Sequence, residues 1–312
     1  MEITIWFWIA FNLFILAMLT LDLGVFHKRA HAVSLREAGI WSAVWVTLAM
    51  VFNAGLYWYG GAEPALEFLT GYLIEKSLAV DNVFLWITLF NFFAVPREFQ
   101  KRVLLYGVLG AIVMRAVLIY VGALLLAEFH WILYMFGLFL LITGVKMLLF
   151  AGQEPDLKKN PVLRWMRGHM KITDEYHGEK FFVMKEGVRY ATPMFVALVL
   201  VEVTDLIFAV DSIPAIFAVT DDPFIVFTSN IFAILGLRAM YFLLVDMVAR
   251  FHLLKYGLAV ILMVIGVKML LLDIYKIPVW IALGIVALIL LVSVAASLVT
   301  SRRADPGAGV SR

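Results

Sequence analysis

The chain has 312 residues, of which 64% are hydrophobic and 15% charged, and its mean hydropathy is +0.97. A soluble globular domain is about 45–50% apolar and about 25% charged. The composition therefore excludes an ordinary soluble protein and a disordered one, and it indicates a polytopic membrane protein. The net charge of +2 says little, but the absence of cysteine excludes disulfides, thiolate metal sites and thiol redox chemistry by the chain itself.

Nine apolar stretches are each long enough to cross a bilayer core, which needs about 20 residues of α-helix. They lie at residues 3–26, 36–60, 65–93, 101–127, 131–150, 193–219, 223–248, 254–273 and 278–300. No basic residue precedes the first stretch, so we expect a retained span and not a cleaved signal peptide. The pattern predicts an all-α polytopic membrane protein with about nine transmembrane helices in a single domain over residues 1–300.

Two polar segments lie outside these stretches. In the long connection 151–192, residues 160–166 predict a short basic amphipathic helix at the membrane surface. Residues 181–184 and 188–192 of the same connection predict a small hairpin around a tight turn. Residues 301–312 are polar and contain proline and glycine, so we expect a disordered tail.

Basic residues are strongly biased to one side of the predicted membrane. Of the lysines and arginines in the connections and the tail, 19 fall on the side of segment 151–192 and one, Lys276, falls on the other side. Cytoplasmic loops carry the excess of lysine and arginine. We therefore expect segment 151–192 and the C-terminus in the cytoplasm, the N-terminus outside, and the protein in the inner (plasma) membrane.

Two parts of the chain resemble each other in the order of their polar motifs. The matched pairs are Glu75 with Asp205, AVDN at 79–82 with AVDS at 209–212, Arg115 with Arg238, and GVKMLL at 144–149 with the same letters at 266–271. Their offsets are 130, 123 and 122 residues. Because a three-span unit that repeats directly must return upside down, spans 3–5 (about 65–150) and 6–8 (about 193–273) predict an inverted repeat with a substrate site near mid-membrane.

Four acidic residues fall in the middle of spans 3 and 6, where each costs about 2.5–3.5 kcal/mol on insertion scales. They are Glu75, Asp81, Asp205 and Asp211. Inverted symmetry would bring Glu75 level with Asp211 and Asp81 level with Asp205, which predicts a metal site of paired carboxylates. Six residues of ideal helix turn through about 240°, so both acids of one span converge only if the helix unwinds, as we expect at Pro214.

Other polar residues in the spans are candidates for the same site. Further ligands or neighbours of the metal are predicted at Asn82, Ser212, Asn230, Glu202 and Asp22. Charge partners are predicted at Lys76, Arg115 and Arg238. Oxygen donors without thiolates favour hard cations such as Mn²⁺, Mg²⁺ or Ca²⁺. Two alternatives stay open from the residues alone: buried salt bridges that only hold the bundle together, and a proton relay without metal.

Three longer motifs surround these residues: GYLIEKSLAVDNVF at 71–84, DLIFAVDSIPA at 205–215 and TSNIFAILGLRAMY at 228–241. They resemble the TerC family of integral membrane proteins, and most closely a branch of Gram-negative bacteria, over about residues 30–275. The resemblance implies that the membrane acids of the family fall on the four acids of spans 3 and 6. It also implies manganese as the ion, export from the cytosol as the direction, and a link to tellurite resistance.

Together these features predict an inner-membrane Mn²⁺ exporter that is coupled to protons, since protons can replace the metal on surplus carboxylates. Two other functions fit the sequence: translocation of protons or alkali cations in pH homeostasis, and an assembly or metal-delivery role linked to tellurite resistance. No phosphate-binding loop or catalytic triad is recognisable, so we expect no enzymatic activity, no resident cofactor and no nucleic-acid partner. The expected partners are the lipid bilayer, a divalent metal ion and protons.

Overall fold

A computed structural model describes residues 5–26, 34–150, 159–245, 251 and 253–304 of the chain. In chain order its elements are α1 (Ile5–Phe26), α2 (Leu35–Gly60), α3 (Ala62–Phe92), α4 (Arg97–Glu128), α5 (Ile132–Leu149), α6 (Pro161–His169), β1 (Phe182–Lys185), β2 (Val188–Ala191), α7 (Pro193–Phe217), α8 (Pro223–Leu235), α9 (Leu237–Leu244), α10 (Leu254–Leu270) and α11 (Val279–Ala304). Residues 301–304 of the tail that was predicted to be disordered belong to α11, and residues 305–312 lie outside the described residues.

Helices occupy all nine predicted spans, and six of these spans are long and apolar enough to cross a membrane. These six are α2, α4, α5, α7, α8 together with α9, and α11. The chain is therefore a polytopic helical membrane protein. Of the remaining spans, α1 is apolar over Ile5–Thr20, α3 carries charged residues in its middle, and α10 has 17 residues. The count of nine transmembrane helices stays a prediction.

Two helices differ from the predicted spans in their continuity. Span 7 is divided at Gly236 into α8 and α9. The Nζ atom of Lys76 donates to the carbonyl oxygen of Ala233 at 3.3 Å, so a cation lies at the C-terminal end of α8, where the helix dipole favours it. The helix α7 continues through Pro214 to Phe217, and the predicted unwinding there is wrong. Pro214 lies in the last turn of α7, where it removes the hydrogen bond to the carbonyl oxygen of Val210 without ending the helix.

The ends of the helices follow their local sequence. The side chain of Asp222 accepts a hydrogen bond from the backbone N–H of Phe224 at 2.9 Å, with Pro223 in the first turn of α8. Asp222 is therefore the N-cap of α8. Ser34 caps α2 in the same way by accepting from the N–H of Glu37 at 3.2 Å. Both caps satisfy backbone donors that have no partner inside the helix.

The connection between α5 and α7 contains the predicted short helix and the predicted hairpin. β1 and β2 pair antiparallel around Glu186 and Gly187, which both have positive φ angles, of 51° and 76°. The hydroxyl group of Tyr176 donates to the carbonyl oxygen of Phe93 at 2.7 Å and ties this segment to the end of α3. Since α3 ends where α7 begins, the two helices run in opposite directions. We call this end of the bundle the hairpin side.

Helices α5 and α10 pack backbone against backbone. A methyl group added at Gly137 would lie 3.0 Å from the carbonyl oxygen of Gly266, and one added at Gly144 would lie 2.8 Å from that of Ala259. The small residues allow this close approach, as in other membrane helix pairs. The partner numbers fall along α10 as they rise along α5, so the two helices are antiparallel. We call this contact the glycine seam.

Aromatic side chains fill the bundle on the side opposite the hairpin. The rings of Phe52 and Phe232 lie 5.0 Å apart, and Phe52 also contacts Phe68 with ring centres 5.2 Å apart. Tyr72 stacks on Phe68 at 6.2 Å between ring centres, one turn before Glu75 on α3. These four rings, which we call the aromatic cluster, belong to one hydrophobic core, in which Phe68, Tyr72 and Phe232 are buried and Phe52 is partly buried. The bundle is therefore filled with apolar side chains on this side of Glu75.

Candidate functional site

The site is built around Arg115, whose side chain is completely buried in α4. Its Nη2 atom donates to Oδ1 of Asp205 at 3.0 Å and its Nε atom to Oδ2 of the same carboxylate at 3.3 Å. Its Nη1 atom donates to Glu75. One guanidinium group thus joins the acids of α3 and α7 in a charge-assisted contact that is bidentate toward Asp205. We call these three residues the Arg115 clamp.

Three neutral side chains complete the buried polar cluster. The Nη1 atom of Arg115 also donates to Oδ1 of Asn230 at 2.8 Å and to the hydroxyl of Ser212 at 3.2 Å. Asn82 donates from its Nδ2 atom to Oδ1 of Asp205 at 3.1 Å. The exposed fractions of all six residues are 2% or less, so they form a polar island within the apolar bundle.

The geometry explains why Asn82 and Ser212 reach the clamp. Each lies seven residues after the acid of its own helix, Glu75 on α3 or Asp205 on α7, and seven residues bring a helix back to nearly the same face. Because the two helices are antiparallel, Asn82 lies level with Asp205 and Ser212 lies close to the carboxylate of Glu75. The polar positions of the two helices therefore face each other without any unwinding.

Asp81 and Asp211 lie outside the cluster. Asp81 lies within electrostatic range of Lys255, and Asp211 bonds to Thr143 and lies near Lys146. The prediction that all four acids converge is wrong, because neither helix unwinds and the 240° rotation between positions six residues apart is kept. The predicted heights of the residues along the bundle are nearly right. Asp81 directly precedes Asn82 and Asp211 directly precedes Ser212, and Asn82 and Ser212 are the residues that enter the cluster.

The other predicted residues have different positions. Glu202 lies one turn before Asp205, and Lys76 bonds to the end of α8. Arg238 is buried in α9 with an exposed fraction of 7%. Asp22 lies in α1, but its side chain is outside the described set. Arg115 is thus the charge partner that the structure assigns to the two central acids. Asn82 and Ser212, which the sequence predicted as further ligands, do lie in the cluster. Their seven-residue spacing from the two central acids is the signal that would have preferred them to the aspartates beside them.

The cluster offers hard oxygen donors, but Arg115 occupies them in this structure. Within the described ranges, no group of three or more acidic or histidine side chains is arranged to hold a metal ion. The Oε2 atom of Glu75 and the Oδ1 atom of Asn82 are buried there without a hydrogen-bond partner. Two carboxylates face one guanidinium, which leaves one negative charge in surplus. Such oxygens suit a hard cation or a proton, provided that the guanidinium group moves aside.

The comparisons with known proteins place the chain in a class of integral membrane proteins. The model of the family described as "Integral membrane protein TerC family" matches residues 60–305. The chain belongs to the TerC family. This match covers all six residues of the buried cluster.

Individual relatives resemble the chain over nearly its whole length. It is 57% identical over 288 residues to the "Putative membrane-bound redox modulator Alx" of Escherichia coli strain K12, over 89% of this chain and 90% of that protein. It is 55% identical to the protein of the same name from Photorhabdus laumondii, over 92% of each chain. It is 50% identical to the uncharacterized membrane protein STKORF319 of Myxococcus xanthus, over 95% of this chain and 93% of that one. No solved structure matches the chain significantly.

Proposed function

We propose that this protein is a divalent-cation transporter, that it exports Mn²⁺ from the cytosol across the inner membrane, and that proton movement drives the export. The observation that carries the proposal is the Arg115 clamp, in which one guanidinium group that cannot lose its proton contacts two buried carboxylates and balances one of their two charges. A divalent cation bound to the same oxygens would take over the role of the guanidinium. Manganese and the direction of export come from the resemblance to the family.

The contacts support two repeat units that are related to each other by a twofold rotation about a central axis. Under the offset of 130 residues, the pair Asn82 and Asp205 becomes the pair Ser212 and Glu75, and both pairs lie together. Under the offset of 122 residues, the contact of Gly137 with Gly266 becomes that of Ala259 with Gly144. We propose an inverted repeat on this basis, because the related helices are antiparallel. In such proteins the two repeats move against each other around a substrate site between them.

The proposal assigns different roles to the four acids. Glu75 and Asp205 hold either Arg115 or the transported cation. Asp81 and Asp211 lie beside them on other faces, where a cation or proton passes on its way to the clamp, and Oδ1 of Asp211 is buried without a hydrogen-bond partner. Protons neutralise the carboxylates after the cation leaves, which supports exchange of metal for protons. The redox modulation in the name of the Alx proteins would, for a chain without cysteine, act through the metal ion.

Transport by the purified full-length chain in liposomes tests the proposal. Mn²⁺ entry should quench a trapped fluorescent indicator faster than in protein-free liposomes, and an acidic lumen should accelerate the entry because protons leave as Mn²⁺ enters. Proton flux that needs no divalent cation would favour the proton translocator instead. Absence of both fluxes would contradict transport and favour the metal-delivery role.

A further inference from the structure

We propose that Glu202 is the loading carboxylate of the transport site, which receives the divalent cation from the hairpin side and passes it to the Arg115 clamp. The proposal rests on the proposed transport function and deepens it. Glu202 lies on α7, one turn from Asp205 toward the hairpin side. Its charge interacts unfavourably with that of Asp205, so the two carboxylates are close neighbours inside the bundle. An ionisable residue at such a depth is costly unless it has a function.

A notch in α4 holds the carboxylate of Glu202. A methyl group added at Gly110 would coincide with the carboxylate oxygens of Glu202, so only glycine leaves room for them. Gly107, one turn earlier on α4, allows the same close approach of α7, but its neighbour is the apolar side chain of Val201. A substitution at Gly110 therefore disturbs the carboxylate of Glu202, whereas a substitution at Gly107 disturbs only the packing of α7 against α4.

Exposure distinguishes Glu202 from the clamp. Glu75 and Asp205 have exposed fractions of 1% and 2%, whereas Glu202 is only partly buried. Glu202 is thus the least buried of the three acids, and the proposal assigns the first contact with the cation to it. The unbonded oxygen atoms of Glu75 and Asn82 lie deeper and are free to accept a cation. The three carboxylates do not form one metal-binding group in the described structure, so the proposal places Glu202 before the clamp on the path of the cation and not within it as a third ligand.

The position related to Glu202 by the repeat has no acid. Under the offset of 130 residues Glu202 corresponds to Tyr72, whose exposed fraction is 3% and which stacks in the aromatic cluster. One side of the clamp thus has a partly exposed carboxylate, and the related position on the other side is a buried tyrosine. A loading residue is expected only on the side that has the carboxylate, so its loss should affect transport from one side of the membrane.

Sided transport kinetics test this assignment. Mn²⁺ is offered either to vesicles with the hairpin side outward or to vesicles of the opposite orientation. For Glu202→Gln we expect the KM from the hairpin side to rise about tenfold, as for other residues that support a metal site. The maximal rate and the KM from the opposite side should stay at the wild-type values, because a lost loading contact weakens binding without changing the later steps.

The two glycines provide a matched pair of variants that keep Glu202. Gly110→Ala pushes the carboxylate out of its notch and should raise the same sided KM, while Gly107→Ala should leave it unchanged. This pair also decides the question if Glu202→Gln does not accumulate in the membrane. An equal rise of KM from both sides, a loss of maximal rate alone, or equal effects of the two glycine variants would overturn the loading role. A wild-type chain that carries no Mn²⁺ would instead refute the transport function itself.

Discussion

Arg115 is the residue on which the buried polar cluster depends, because its guanidinium group contacts both central acids and two neutral side chains. Burying an ion pair is expensive, and removing one partner leaves the other charge without compensation. The same side chain therefore stabilises the empty bundle and competes with any cation for Glu75 and Asp205. We expect its replacement to affect folding before it affects transport.

Arg115→Ala should destabilise the protein by about 3–5 kcal/mol, because two carboxylates then stay buried without a cation. The triple variant Arg115→Ala, Glu75→Gln, Asp205→Asn should recover most of this loss, since it buries no unpaired charge. Arg102→Ala is the control: its partner Glu179 lies 3.1 Å away, both side chains are about one third exposed, and the loss should stay below about 1 kcal/mol. Thermal unfolding in detergent measures all three. A triple variant as unstable as the single one would contradict the clamp.

The sequence was sufficient to find the acids of the site but not the faces that they occupy. Glu75 and Asp205 could be predicted, since intramembrane acids are rare and costly. The convergence of Asp81 and Asp211 with them was wrong, because it relied on an unwound helix where α3 and α7 are continuous. Helix continuity depends on packing against neighbours, and the sequence shows only that Pro214 lacks a donor.

At the level of elements, the glycine seam between α5 and α10 leaves no room for side chains. Gly144→Ala should destabilise the protein by about 1–3 kcal/mol, because its methyl group would lie 2.8 Å from a backbone carbonyl oxygen that cannot move freely. Gly55→Ala in α2 is the control, since no atom lies within 4 Å of the added methyl group. It should be neutral or slightly stabilising, as alanine favours helix. Equal unfolding temperatures of the two variants would argue against a tight seam.

The hairpin segment is attached to α3 through the partly buried phenol of Tyr176. Burial raises the pKa of Tyr176 to about 12, so its hydroxyl keeps its proton and its bond to Phe93 at pH values where an unfolded tyrosine ionises. The stability from this group is complete below about pH 10. It is lost as the pH rises through about 12. An absorbance titration of tyrosine ionisation should show a step near pH 12 that Tyr176→Phe removes. If the step that Tyr176→Phe removes lay near pH 10 instead, Tyr176 would not be shielded from solvent.

The helices and the hairpin could be predicted closely, whereas the division of span 7 could not. Apolar length and helix caps are local signals, as at Asp222 before α8. The break at Gly236 lies beside Lys76, which belongs to another helix and bonds to the carbonyl of Ala233. The sequence places these residues 157 positions apart. Such a contact becomes visible only once the helices are packed.

At the scale of the whole molecule, the distribution of basic residues predicts the orientation in the membrane. A cysteine introduced by Lys171→Cys should react with an impermeant maleimide only from the cytoplasmic side, and one introduced by Lys276→Cys only from the outer side. Both positions are exposed, and the natural chain has no cysteine to interfere. The measurement compares maleimide labelling of each variant in intact cells with its labelling in inverted membrane vesicles. Labelling of the Lys171→Cys variant in intact cells would reverse the orientation and the direction of export.

The central claim is that the Arg115 clamp is the binding site of the transported cation, and Mn²⁺ flux through charge-neutral variants tests it most directly. Glu75→Gln and Asp205→Asn should each lower the initial flux in liposomes by at least about tenfold, because each removes a charged oxygen ligand. Glu128→Gln, at the exposed end of α4, should keep the wild-type flux. Folding of each variant is checked by its unfolding temperature. Well-folded Glu75→Gln and Asp205→Asn proteins with wild-type Mn²⁺ flux would show that the clamp only holds the bundle together.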